Sequence, residues 1–314
     1  MMLSRFAENS FWMGRYIERA DNIARLLSVT EAFAADQESE AAWTPVLNVF
    51  SDHESYKSYN KPLTALNVAK FYLGEIQNFN SAAYSVHMAK ENARTLRHLI
   101  STECWRQLSM FQARMHALSK RNFALSKVSE ICDDIQHSCF THRGIVETTW
   151  YRDEVWRFNR IGAALERADQ MTRLLDMKYF EYDRDDDDQV APPDVAWWNT
   201  LLRTASGYHA FQRRYSFDPQ PADAAGFLLF DARLPLSVRA AVNSAFHHLS
   251  KLEQDYGAQA DANIKSAAEA LDNRLNTPPD RVNGRPLHRY LDQIQIELIT
   301  LANALNERYF SPEQ

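Results

Sequence analysis

The stretch GRYIERADNIARLL occupies residues 14–27, and GAALERADQMTRLL occupies residues 162–175. Set 148 positions apart, they share Gly14/Gly162, Glu18/Glu166, Arg19/Arg167, Ala20/Ala168, Asp21/Asp169, Arg25/Arg173, Leu26/Leu174 and Leu27/Leu175. At about 100° per residue, Met13, Tyr16, Ile17, Ala20, Ile23, Ala24 and Leu27 fall on one apolar helix face. Ile161, Ala164, Leu165, Ala168, Met171, Thr172 and Leu175 make the matching face of a second helix. Gly14, Glu18, Asp21 and Arg25 lie on another face, within about 60° of one another. Arg15, Arg19 and Asn22 form a third, with Glu8 a turn or two earlier. The pattern reads as an internal duplication of one long helix.

What the copies share matters as much as the periodicity. Asp21 and Arg25, like Asp169 and Arg173, are four apart, a spacing that supports an exposed helix by about 0.2–0.5 kcal/mol per pair. An internal duplication whose charges sit in solvent accounts for that spacing and needs no function, and this reading stays open beside the ones below. Exposed ion pairs contribute little, however, so only polarity needs to survive between copies, whereas here the residue types survive too. The glycines point the same way. Glycine inside a helix costs about 1 kcal/mol relative to alanine, which a close approach of two backbones offsets. Two motif helices meeting at Gly14 and Gly162 bring four acids and four arginines together. Buried charges persist only when paired and hydrogen-bonded. Such a cluster is a structural girdle or a site for a polar, ionised ligand.

Composition narrows the class. The chain has 314 residues, 45% hydrophobic and 24% charged, with a net charge of −6 and only 8 glycines. That is long enough for a substantial core. It is poor in the glycine that tight β-turns and phosphate loops require. The acidic balance disfavours non-specific nucleic-acid binding, and no apolar run approaches the roughly 20 residues of a membrane span. The N-terminus lacks the layout of a signal peptide. Three cysteines (Cys104, Cys132 and Cys139) suit a reducing compartment, so a cytoplasmic location is expected.

Along the chain, helical periodicity dominates and no strand alternation is evident. Helices are expected over 5–34 and 64–76, from Ser81 and Thr102 as caps, over 122–149 and 152–182, then over 195–215, 221–230, 235–256, 259–275 and 287–309. Residues 36–62 are the least helical part of the first half, yet Trp43, Phe50, Tyr56 and Tyr59 imply that they pack. The acidic run in 183–193 is a solvated loop, with Asp194 as the next cap. The expectation is one all-α domain over 1–314, a helical bundle built around the duplicated motif helix, with 183–193 as a possible subdivision.

Other constellations are weaker. A carboxylate metal site in a bundle needs repeated Glu-x-x-His; the nearest approach, Asp134 to His137, occurs once. Cys132, His137, Cys139 and His142 lie close in sequence but mostly on one helix, which cannot complete a tetrahedral zinc site. The cysteines read as buried structure, the pair His247-His248 carries little meaning, and no metal or cofactor is expected. GxxxxGK[ST], GxGxxG, HExxH and GxSxG are all absent, so the chain does not itself carry the usual nucleotide or hydrolase hardware.

The segments MLSRFAENSFWMGRYIERADNIARLL, AKENARTLRHLISTECWRQL, ALERADQMTRLLDMKYF, WWNTLLRTASGYHAFQRRY and AAGFLLFDARLPLSVRAAV, in that order, resemble the alpha-E domain family, a bacterial all-helical family named for a Glu-Arg motif. The resemblance implies a site drawn from Arg5, Glu8, Asn9, Arg15, Glu18, Arg19, Arg25, Glu91, Asn92, Arg94, Glu166, Arg167, Asp169 and Arg173, to which the repeat adds Asp21. Ala163 and Ala164 stand where the family often has Arg-Tyr. The resemblance also implies company: a circularly permuted ATP-grasp protein, and often a transglutaminase-like homologue. On that footing the chain is an accessory or co-catalytic partner of an ATP-dependent amide or peptide ligase. Two alternatives stand beside it. One is an enzyme or small-molecule binder, with Glu18 or Glu166 as general base and the motif arginines gripping an anion, since guanidinium binds carboxylate or phosphate bidentately. The other is a pure scaffold.

Overall fold

The N-terminal motif stretch forms a single helix, α1 (Ser4–Gln37), and the second copy forms α8 (Glu154–Asp176). Both are free of proline and rich in Ala, Leu, Arg and Glu, the residues that lose least on entering a helix. Asp153 starts α8 by accepting the Trp156 amide at 3.0 Å. The computed structural model describes residues 4–37, 43–177, 195–215, 220–256, 261–282 and 284–310. Between the motif helices lie α2 (Thr44–Phe50), α3 (His53–Tyr59), α4 (Ala65–Leu73), α5 (Ala82–Thr95), α6 (Thr102–Lys120), a 3₁₀ turn (Leu125–Lys127) and α7 (Val128–Thr149). After α8 come α9 (Val195–Thr204), α10 (Tyr208–Arg214), α11 (Pro221–Phe230), α12 (Val238–Tyr256), α13 (Ala262–Asn276), α14 (Gly284–Leu305) and a π turn (Asn306–Phe310). There is no strand among the described residues, so the fold is all-α.

The expected boundaries hold with local corrections. Ser81 caps α5 through the Tyr84 amide. Ser101, not Thr102, caps α6, accepting the Cys104 amide, and Thr102 is the first helical residue. Residues 36–62 contain two seven-residue helices, and they are packed: Trp43 and Tyr56 are buried. The stretch 195–215 is two helices rather than one. Ser206 takes a left-handed backbone (φ 54°) and the Gly207 amide closes back on the Leu202 carbonyl at 2.7 Å, which ends α9 in the manner of a Schellman cap. The acidic run and the Asp194 cap lie outside the described residues.

α1 and α8 run in the same direction, because contacts climb together along both. Gly14 meets Asn159 and Ala163, Gly162 meets Phe11, Glu18 meets Arg167, and Asn22 meets Gln170. A Cβ on Gly14 would stand 3.0 Å from the Ala163 amide nitrogen and closer still to the Asn159 carbonyl oxygen. One on Gly162 would stand 2.8 Å from the Phe11 carbonyl carbon and closer still to its oxygen. The two glycines therefore let each backbone sit against the other, as their sequence positions imply.

The surroundings of the two helices repeat. α1 packs on α5 and α7, with α6 against both; α8 packs on α12 and α14, with α13 against both. The short helices cross over, α9 touching α1 and α2 touching α8. Even the ends of α2 and α9 match. Ser51 (φ 55°) closes α2 as Ser206 closes α9. Arg25 donates to the Thr204 carbonyl near the end of α9, and Arg173 to the Val49 carbonyl near the end of α2. Buried apolar side chains from Ala7 to Phe310 form one core. Each fully buried Leu or Ile there contributes about 1.5–3 kcal/mol. Among the described residues no helix is long and apolar enough to cross a membrane.

Candidate functional site

The close crossing at the glycines brings the Glu-Arg residues one turn further on into contact across the seam. Glu166 on α8 accepts from Arg15 Nε at 2.6 Å and from Arg19 Nε and Nη2 at 2.7 and 3.2 Å, both on α1, and from Gln170 at 3.0 Å. Glu18 on α1 accepts from Arg167 Nη2 at 2.5 Å and Nε at 3.2 Å, on α8. Its second guanidinium does not come from the motif. Arg143 on α7 supplies it, at 2.8 Å through both Nε and Nη2. Glu18 and Glu166 are 4% and 0% exposed. That excludes the solvated-face reading and makes the cluster internal.

Arg143 also reaches Asp21 at 2.6 Å, and Asp21 in turn accepts Arg25 Nε at 3.1 Å. On the other copy Arg173 grips Asp169 through Nε and Nη2 at 2.9 and 3.3 Å. Asn22 donates to Gln170 at 2.7 Å, joining two equivalent positions directly. Glu18, Asp21, Glu166, Asp169, Arg15, Arg19, Arg25, Arg167 and Arg173 are thus brought together. The remaining expected residues are not. Arg5 is exposed and lies over the Phe6 ring, and Asn9 bonds the Arg5 carbonyl within its own helix. Glu91 and Arg94 pair with each other on α5, and the Asn92 amide nitrogen is buried without a hydrogen-bond partner among the described residues. Glu8 lines the cleft described below and makes no ion pair among the described residues.

Burial pushes the Glu18 carboxyl up, but the Arg143 and Arg167 guanidiniums overcome it and hold it down at about 2. Burial likewise raises Glu166, and Arg19 and Arg15 hold it well below the usual carboxylate range. His142 and His248 are held neutral, each down at about 3, first by burial and then by the charges of Arg143 and Arg160 respectively. All four groups bind fewer protons folded than unfolded as pH falls. Stability is therefore fully present above the ordinary histidine value of 6.5, begins to fall below it, and falls further as pH drops from 4.5 toward 2 and the carboxylates protonate. Urea midpoints at pH 7, 5 and 3 check this; a midpoint at pH 3 equal to that at pH 7 would contradict it.

The two flanks of the seam differ. On the Arg15/Arg19 side lies an open cleft of about 440 Å³, walled by α1, α8, α14 and the π turn. On the Glu18 side the space left between His142, Arg143, Arg160 and Ala163 is about 10 Å³, room for about one water. Arg143 fills what Ala163 vacates. The sequence held a signal for this: Ala163 stands in the place of Arg15, so Glu18 needed a cation from elsewhere.

Other polar groups escaped the sequence reading. Lys90 is buried with its ammonium on the Trp105 ring and against Ser109, and burial, aided by Arg94, brings it down to about 8. Asp176, His288 and Asp292 present ligand atoms within 4.8 Å of one another and are the residues able to hold a divalent cation among those described. The Asp176–His288 contact is 2.7 Å. Cys132 and Cys139 are buried thiols, His142 bonds Gln107 at 3.0 Å, and His137 is exposed, so these four do not converge.

The geometry defines an all-α protein whose two central helices are locked by reciprocal Glu-Arg clamps. A family model described as a predicted alpha-helical domain with a conserved ER motif matches residues 2–310, and the chain belongs to this Alpha-E family. No curated protein and no solved structure matches the chain.

Proposed function

We propose that this chain is an accessory subunit of an ATP-grasp-type amide or peptide ligase system, a binding module in the cytoplasm rather than the catalyst. One observation carries the reading: both oxygens of Glu18 and of Glu166 are already bonded to guanidinium groups. A general base needs a carboxylate with a pKa near the working pH and a free lone pair toward its substrate. These carboxylates have neither. The motif therefore serves as a girdle that fixes the register of α1 and α8 and leaves the outer edges of the arginines for binding. The Alpha-E membership supports the choice of partner, and three free, buried thiols suit a reducing compartment.

The test is capture of the native protein under mild conditions with mass spectrometry of what co-elutes, followed by ligase turnover with and without this chain. An ATP-grasp protein in near-equal amount, and turnover lost on omission, is the expected result. A chain that elutes alone, beside a ligase that turns over unchanged without it, overturns the reading.

A further inference from the structure

We infer that the cleft beside the Arg15–Glu166–Arg19 clamp binds a small zwitterion, with a carboxylate at one end, an apolar body, and an amine about 10 Å away. Glu8, Trp12, Arg15 and Arg19 line the cleft and lie at i, i+4, i+7 and i+11 of α1, so they form one stripe along its length. At the arginine end, donors remain. Arg15 uses only Nε on Glu166, and Arg19 uses Nε and Nη2. The two Nη groups of Arg15 and Nη1 of Arg19 have no protein acceptor among the described residues. Both guanidiniums are held in place, Arg15 by the Trp12 and Phe11 rings at 5.0 and 5.7 Å, Arg19 by Tyr16 at 5.5 Å. Pre-positioned donors of this kind bind an oxyanion without reorganising.

Charge balance sets the valence of that oxyanion. Two guanidiniums share one carboxylate, which leaves one positive charge over, while Arg173 is matched by Asp169. One monoanionic carboxylate neutralises the surplus. At the other end Glu8 is a carboxylate without an ion-pair partner among the described residues, and a cation is its complement. Seven residues of helix separate Glu8 from Arg15, about 10 Å at 1.5 Å per residue. Trp12 stands between them, and Leu298 and Phe310 also line the cleft. A volume of about 440 Å³ is within the usual range for small-molecule sites. An ω-amino acid and a short peptide with free termini share this chemistry.

Calorimetric titration of the full chain with 8-aminooctanoate, trialanine, octanoate and octylamine tests the site. The zwitterions are expected to bind, and loss of either charge to weaken binding about tenfold, the worth of one charged hydrogen bond. Binding of 8-aminooctanoate alone identifies the ω-amino source; binding of trialanine alone identifies the peptide source. Glu8→Gln, at a half-buried position outside the clamp, should weaken 8-aminooctanoate about tenfold and leave octanoate unchanged. Arg15→Lys should weaken both. Absence of binding by both zwitterions, octanoate binding as tightly as the zwitterion that binds, or an unchanged affinity of that zwitterion in Glu8→Gln overturns the inference.

Discussion

Gly162→Ala is expected to lower the unfolding free energy by about 3 kcal/mol or more, a large fraction of the roughly 5–15 kcal/mol that holds a domain folded. The added methyl would meet the Phe11 carbonyl of α1, which is backbone and cannot swing away. Relief requires α1 and α8 to move apart, and the carboxylate clamps one turn further along would stretch with them. Gly14→Ala meets the Asn159 carbonyl in the reciprocal position and should behave alike. Gly144 and Gly226 also lie in helices, and a Cβ on either meets nothing within 4 Å. Alanine at those two positions should stabilise by up to about 1 kcal/mol, through helix propensity alone. Urea unfolding of the four variants separates the cases. Four similar midpoints would mean that the crossing is looser than described.

Glu166→Gln should cost about 3–5 kcal/mol, the usual penalty for removing one partner of a buried ion pair. Glutamine keeps the volume but removes the charge that two guanidiniums share, and its amide hydrogens would point at a donor. Arg15 and Arg19, both half-buried, would be left against a neutral group. The double variant with Arg19→Met should lose less than the sum of the two single changes, because one member of the mismatch is gone. Glu54→Gln, on the solvent-exposed Lys57 pair, should leave the melting curve unaltered. This variant also tests the functional reading. A catalytic Glu166 would show lost turnover at unchanged stability, whereas a clamp shows the reverse order, with stability falling first.

Much of this site was legible in the chain, for definable reasons. Gly14 and Gly162 implied a close approach because glycine is disfavoured in helix interiors and both copies keep it. The faces carrying Glu18, Asp21 and Arg25 followed from a period of 3.6. Arg143 was not legible. It comes from α7, its neighbours give no local hint, and only the alanine at 163 marked the gap it fills. Glu91, Asn92 and Arg94 lie apart from the clamp. Resemblance groups them with the site, whereas α5 carries them as a local pair and an amide outside the clamp. The break at Ser206 was hidden because apolar residues continue with helical spacing across it, and a single left-handed residue ends a helix without disturbing that pattern. α2 and α3, at seven residues each, are too short for periodicity to register.

Glu18 lies 125 residues before Arg143 and 149 before Arg167 in the chain. Synthesis is vectorial, at about 5–20 residues per second, so the carboxylate waits about 6–30 s for its partners. During that interval α1 has neither of its two guanidiniums from later in the chain, nor the backbone of α8 against its glycine. A helix at the centre of the molecule is made before the partners that complete it. A ribosome pausing between residues 143 and 167 would prolong the interval in which Glu18 has only one of its two guanidiniums.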